Sequence, residues 1–268
     1  MLLAVDVGNT QTVIGVYEGK DLRHRWRFST NKLYTPDELR IKIVPLLASE
    51  DMAFDDVHGV VVSSVVPRLT DAWCEVTRRT IGRPAVVCTA QTAGSLFPTS
   101  YPNPSEIGAD RVADAVGACA LYGSPVVVVD FGTATNIEVV DRDGKFLGGV
   151  IAPGMDTAAS ALFEHATKLG AIDYVNPHTA IGTNTVQAMQ IGIVVGEAER
   201  VDGIVARMFD QLGYEAPVVA TGGLAARIAP LSRTITEANP DLTLEGLRLV
   251  YEHCTDQEEA VACERIGY

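Results

Sequence analysis

The feature that most constrains this chain is a segment that occurs twice. Leu2-Leu3-Ala4-Val5-Asp6-Val7-Gly8-Asn9-Thr10-Gln11-Thr12-Val13 returns, altered, as Val126-Val127-Val128-Val129-Asp130-Phe131-Gly132-Thr133-Ala134-Thr135-Asn136-Ile137. In each copy an apolar run ends in Asp, one apolar residue, Gly and a hydroxyl-bearing turn, and strand-like sequence then resumes. The run reads as a buried strand and the Gly/Thr cluster as a tight hairpin turn. Glycine lets backbone N–H groups converge on one concavity, a nest suited to phosphate oxygens. Threonine hydroxyls add donors, and an Asp at the strand end can hold a cation or its water shell. One Asp-x-Gly turn serves any hairpin; two, near the starts of the two halves, point to a duplicated unit.

The intervening sequence repeats the same order of elements. Val13–Tyr17 is expected to pair back on Leu2–Asp6, with Leu22–Ser29 as a third strand. Thr35-Pro36-Asp37-Glu38 predicts a helix start, with Thr as N-cap, Pro at N1 and Glu at N3. That helix should run to about Ala48, with Pro45 a point where it kinks or shortens. Gly59–Val66 reads as a fourth strand, Leu69–Ile81 as a helix and Ala85–Cys88 as a short strand. Leu96–Ile107 carries three prolines and reads as an extended loop, ending at Gly108-Ala109-Asp110-Arg111, which opens a helix through Leu121. In the second half Val126–Asp130 and Thr135–Asp141 form a hairpin, followed by strand Lys145–Ile151 and helix Asp156–Leu169. Asn184–Phe209 is a long helical tract in which Gly192, Gly196 and Gly203 are candidate breaks. Val218–Thr221 is a strand ending in Gly222-Gly223, and Leu242–Tyr251 and Asp256–Ile266 are helices.

A chain of 268 residues with 47% hydrophobic and 21% charged residues is globular, with room for two domains. Its formal charge of −13 argues against general binding to nucleic acid or to a membrane surface. An anionic substrate would need local donors or a metal to offset that field. The five cysteines are odd in number and lack metal-ligand spacing, so free thiols and a cytoplasmic location are expected. The five histidines form no metal-ligand pattern, and neither a P-loop nor a nucleophile elbow is present.

Seven blocks together resemble the type III pantothenate kinases, of the acetate and sugar kinase, heat-shock chaperone and actin superfamily. They are Asp6–Thr10, Ser63–Pro67, Gly108–Arg111, Asp130–Thr135, Gly148–Gly154, Ile181–Thr185 and Ala220–Ala225, in the family's order. The resemblance implies an α/β fold of two ribonuclease H-like domains, with mixed β-sheets, flanking helices and an interdomain cleft. The domains would be residues 1–117, with the first phosphate turn, and 118–268, with the second turn and an adenosine motif. It implies phosphorylation of pantothenate by ATP, with Mg²⁺, a monovalent cation (K⁺ or NH₄⁺) and a homodimer.

Residue by residue, the resemblance makes Asp6 the holder of Mg²⁺ through water, and Asp6, Val7, Gly8, Asn9, Thr10, Gln11, Thr12 and Val13 the first ATP-binding turn. Thr133 matches an ATP contact, Asp130 a monovalent-cation ligand, and Gly222-Gly223 a backbone rest for adenosine. Asp110 is the candidate base: phosphoryl transfer needs an in-line hydroxyl and an acceptor for its proton. Gly108, Ala109 and Arg111 would line the substrate site, Arg111 forking onto a carboxylate, with Tyr101 and Thr185 as further substrate contacts. Plainer roles stand beside these. Asp6 and Asp130 could be ordinary turn residues, Tyr101 a packed loop aromatic, and Thr185 an N-cap or early helix hydroxyl. Asp110 could be a first-turn acid favoured by the helix dipole, with Arg111 on a solvated face. Departures from the family pattern fall at Tyr34, Thr183, Ile191 and Glu197 and bear on the dimer interface and the pocket rim. A kinase for another small alcohol, or a non-catalytic paralogue, are the alternative functions.

Overall fold

Each copy of the repeated segment begins a five-stranded mixed sheet of the same plan. The computed structural model describes residues 1–166 and 169–266, the side chains of 257–266 excepted. In the first sheet β1 (Leu2–Val7), β2 (Gln11–Glu18) and β3 (Asp21–Ser29) form an antiparallel meander, and β4 (Gly59–Ser64) and β5 (Val86–Val87) add in parallel, giving the order β3-β2-β1-β4-β5. In the second, β6 (Val126–Phe131), β7 (Ala134–Val140) and β8 (Phe146–Pro153) form the meander. Strands β9 (Val218–Thr221) and β10 (Glu237–Ala238) add in parallel, giving the order β10-β9-β6-β7-β8. Both sheets are thus ribonuclease H-like, and the duplicated α/β architecture expected from the repeat is present.

The alternation of side chains along β1 assigns its two faces. Leu3, Val5 and Val7 join Ile14, Val16, Val60 and Val62 in a core closed by α1 (Pro36–Ala48) and α2 (Pro67–Ile81), through Leu39, Ile43, Leu47, Leu69 and Trp73. Thr35 caps α1 in a full capping box with Glu38, and the helix runs through Pro45 to Ala48 without breaking. The opposite face of β1 presents Asp6. Beyond the short α3 (Ala90–Ala93), α4 (Ala109–Tyr122) begins at the Gly-Ala-Asp-Arg block.

In the second unit, α5 (Met155–His165) ends before the expected Leu169; Thr167 and Lys168 lie outside the described residues. The glycine-punctuated tract is one run: α6 (Thr185–Gln190), a π-helical turn at Ile191–Val195, and α7 (Gly196–Leu212). Gly192 and Gly196 widen the helix rather than break it, as π-bulges do. After the short α8 (Ala225–Ile228), the two expected C-terminal helices are the single α9 (Leu242–Ile266).

The chain divides into Met1–Leu121 together with the segment from Asp241 on, and Tyr122–Pro240. The expected assignment of everything beyond residue 118 to the second domain is thereby corrected. Helix α9 packs on β1 and β4 of the first unit and buries Leu242, Leu244, Leu247 and Val250. Sequence order put α9 with its neighbours; its apolar stripe puts it with the first sheet. Among the described residues no helix is long and apolar enough to cross a membrane.

Helices α4 and α9 cross at backbone contact. A Cβ on Gly246 would sit 1.8 Å from the Ala113 carbonyl oxygen, and one on Gly117 would sit 2.6 Å from that of Leu242. Neither neighbour is a side chain that can turn away. We therefore expect Gly246→Ala to destabilise the protein by about 1–3 kcal/mol through overpacking, read as a lower urea midpoint. An unchanged midpoint would show that the crossing is not tight.

Candidate active site

The first turn is short because Gly8 closes it. The Gly8 N–H donates to the Gln11 carbonyl at 3.0 Å, and a Cβ on Gly8 would press on that same oxygen. Asn9, Thr10 and Gln11 are exposed. Thr12 turns the other way, buried, its hydroxyl 2.8 Å from that of Thr30, while the Thr30 N–H donates to the Thr10 carbonyl. The turn is therefore fastened to the chain leaving β3. Lys32, also on that segment, donates to the Asn9 side-chain oxygen at 2.9 Å and places an ammonium beside the turn.

Asp6 closes β1 on the face opposite the α1/α2 core. Its ladder partners are Val13 on β2 and Ser63 on β4, so these three share one face. Ser63 is fully buried, with its hydroxyl beside the Asp6 carboxyl. The Asp6 carboxyl is pushed up to about 7, chiefly by desolvation and then by the charge of Asp110; the nearby Ser63 hydroxyl and the Arg27 charge pull the other way. Asp110 stands in the first turn of α4 and is itself raised by desolvation, partly offset by the N–H of Arg111, at 2.8 Å, and by the Arg111 charge. A Cβ on Gly108 would lie 2.5 Å from the Asp110 Oδ1, so glycine is what lets the carboxylate fold back over its own approach. Arg111 is only 6% exposed, which removes the solvated-face alternative. Two carboxylates and an arginine thus gather on one side of the first sheet.

The second turn repeats the plan. The Gly132 N–H donates to the Ala134 carbonyl at 3.0 Å, and Thr133 is exposed. The Thr133 carbonyl accepts from the Gly154 N–H at 3.0 Å and from the Thr157 hydroxyl at 2.7 Å, which locks the turn onto the start of α5. Asp130 is flanked in register by Asn136 and Thr221, both buried, and neither the Asn136 Oδ1 nor the Thr221 hydroxyl has a partner. Gly222 has φ +89°, and a Cβ there would lie 2.3 Å from the Asp130 Oδ1. Only glycine lets the end of β9 lie against Asp130. A carboxylate beside two unused neutral oxygens is a donor set for a hard cation. Among the described residues no cluster of three His, Cys, Asp or Glu side chains could hold a metal by itself.

Comparison with known proteins decides the family. The family model for type III pantothenate kinase matches residues 2–207. The chain is 44% identical over 253 residues to the type III pantothenate kinase of Thermomicrobium roseum, covering 94% of this chain and 97% of that one. It is 46% identical over 261 residues to that of Acidobacterium capsulatum, covering 94% of each. This chain belongs to the type III pantothenate kinase family. Among solved structures, the activator of 2-hydroxyisocaproyl-CoA dehydratase from Clostridium difficile, with bound ADPNP, superposes with a TM-score of 0.59 at 14% identity, covering 96% of this chain and 97% of that one. At that identity the likeness speaks for the fold alone.

Within a type III pantothenate kinase framework, Asp6, Gly8, Asn9, Thr10, Gly108, Asp110 and Arg111 all fall in the first unit, and Asp130, Thr133, Gly222 and Gly223 in the second. Tyr101 is half-buried in the loop before α4, its N–H bonded to the Thr99 hydroxyl at 3.0 Å. Thr185 is exposed at the start of α6; the N-cap is Asn184, which accepts from the Gln187 N–H, so capping is not the role of Thr185. Glu197, one of the departures from the family pattern, is not a rim residue. It is 4% exposed, accepts from the Thr135 hydroxyl at 2.7 Å and pairs with Arg200, which also donates to the Pro153 carbonyl at 2.9 Å. It braces the second turn from behind. The sequence reading assigned no role to Ser63, Thr221, Asn136, Arg27 or Lys32. Ser63 and Thr221 lie within its matched blocks; what it lacked was the register that sets each beside an Asp.

Proposed function

We propose that this chain transfers the γ-phosphoryl group of ATP to the primary hydroxyl of pantothenate, giving ADP and 4′-phosphopantothenate on the way to coenzyme A. What carries the reading is the coupling of Asp6 and Asp110 on one face of the first unit, in a chain whose family is named for that reaction. The hydroxyl oxygen bonds to the γ-phosphorus, the bond to the β–γ bridging oxygen breaks, and the hydroxyl proton passes to the Asp110 carboxylate. A carboxyl raised above its ordinary range is a better proton acceptor than a solvated one. The backbone at Gly8–Gln11 and the exposed Thr133 supply donors to phosphate oxygens, and Gly222-Gly223 leaves backbone open to adenosine. Arg111, and with it Tyr101 and Thr185, orients pantothenate.

The residues fit the implied ions. Asp6, a single strand-end carboxylate beside the Ser63 hydroxyl, suits Mg²⁺, which keeps most of its waters. Asp130, with Asn136 and Thr221, suits K⁺ or NH₄⁺. Bound there, the ions offset phosphate charge during transfer. The four cysteines with described side chains are free thiols, in keeping with a cytoplasmic enzyme; Cys263 lies outside the described side chains.

Incubation with Mg·ATP and pantothenate should yield phosphopantothenate by mass spectrometry, faster with K⁺ than with Na⁺. Asp110→Asn should lower kcat by about 10²–10⁴ while ATP still binds. Absence of product from the unaltered protein would overturn the reading, and near-normal turnover of the variant would remove Asp110 as base.

We further propose a homodimer built on the tract from Asn184. Val175, Ile181 and Val186 are large apolar residues left exposed in and just before that tract, which is what a covered face requires. Sedimentation at micromolar concentration should give twice the chain mass; a monomer would refute this.

A further inference from the structure

Strand β3 carries arginines at every second position, Arg23, Arg25 and Arg27. Two of them are tied off: Arg23 pairs with Glu18, and Arg25 with Asp241. Arg27 is exposed and makes no ion pair or hydrogen bond with any described residue. It is also the arginine whose ladder position leads to the site. Arg27 is opposite Val13, Val13 is opposite Asp6, and Asp6 is opposite Ser63, so the four form one row on one face of the first sheet. Two strand spacings put the Arg27 and Asp6 backbones about 10 Å apart. The Arg27 side chain is long enough to reach across the short Val13, and its charge is felt at Asp6.

An unpaired cation facing a strand-end carboxylate is what a phosphate carrying its own metal would need. The carboxylate takes the metal's side of the group, and the guanidinium forks onto two of its oxygens. The net charge of −13 would otherwise repel a triphosphate, and the local donors needed to offset it are found here. We propose that Arg27 is a nucleotide-phosphate-binding residue, its guanidinium bonding to the phosphate that Asp6 meets through metal. This rests on the kinase reading above. Arg27 is neither in the repeated turns nor in any of the seven matched blocks.

The test is calorimetric binding of a non-hydrolysable ATP analogue to Arg27→Gln and Arg27→Lys, with Mg²⁺ and with EDTA, alongside steady-state kinetics and thermal midpoints. Arg27→Gln should weaken analogue binding by about tenfold to a hundredfold, the loss of the charge-assisted fork, with or without Mg²⁺. KM for ATP should rise while KM for pantothenate changes little. Arg27→Lys should recover part of the loss, Arg23→Gln should behave as the unaltered protein, and the thermal midpoint should hold. Unaltered affinity and KM in Arg27→Gln, or a fall in midpoint with both KM values rising together, would overturn the proposal. If the unaltered protein neither binds the analogue nor makes phosphopantothenate, the kinase reading falls and this inference with it. If it does both and Arg27→Gln matches it, only the role of Arg27 falls.

Discussion

Asp6 and Asp110 occupy a poorly solvated side of the first sheet, where the charge of one raises the cost of charging the other. Folding gathers those carboxylates against their mutual repulsion, and much of the surrounding structure serves that end. Gly108 makes room for the Asp110 carboxylate, the N–H of Arg111 binds it, and the buried Arg111 guanidinium lies close by. Helix α9, reached only after the whole second unit, returns to pack on β1 and β4 beneath the same face. Such a region favours a cation, which the proposed metal-borne phosphate would supply.

The duplication goes deeper than the turns. In both units the strand-end Asp has a buried hydroxyl residue directly beside it on the parallel strand, Ser63 for Asp6 and Thr221 for Asp130, and that of Thr221 has no partner. An unused buried hydroxyl costs free energy unless something in the working state bonds to it. That a buried hydroxyl recurs at equivalent places ties it to the chemistry of the Asp rather than to chance packing. The units then diverge. The first adds the Asp110 carboxylate at the start of α4, and the second adds Asn136 and the close approach of Gly222 to Asp130.

Much of this was legible from residues alone, because the informative features were local. Asp-x-Gly turns, the Thr35 capping box and the apolar strands each follow from a few neighbouring residues, and the family blocks single out Asp110 and Asp130 as candidates. What stayed hidden depended on distant pairing. The placement of α9 is set by a stripe of leucines meeting a sheet laid down at the other end of the chain. Glu197 looked like a variable rim position until its bond to Thr135 appeared. Nothing local marks Arg27; only the register across β2 sets it in one row with Asp6. Gly192 and Gly196 read as candidate helix breaks, yet the helical run continues through them, Gly192 inside the π turn and Gly196 as the first residue of α7.

The central claim is that Asp6 is where the metal-bound phosphate meets the protein. Titrating Asp6→Asn with a non-hydrolysable ATP analogue, in the presence and absence of Mg²⁺, tests it most directly. The account predicts that Mg²⁺ strengthens analogue binding to the unaltered protein and that Asp6→Asn abolishes this gain. A variant that keeps the full Mg²⁺-dependent gain would place the metal elsewhere and contradict the account.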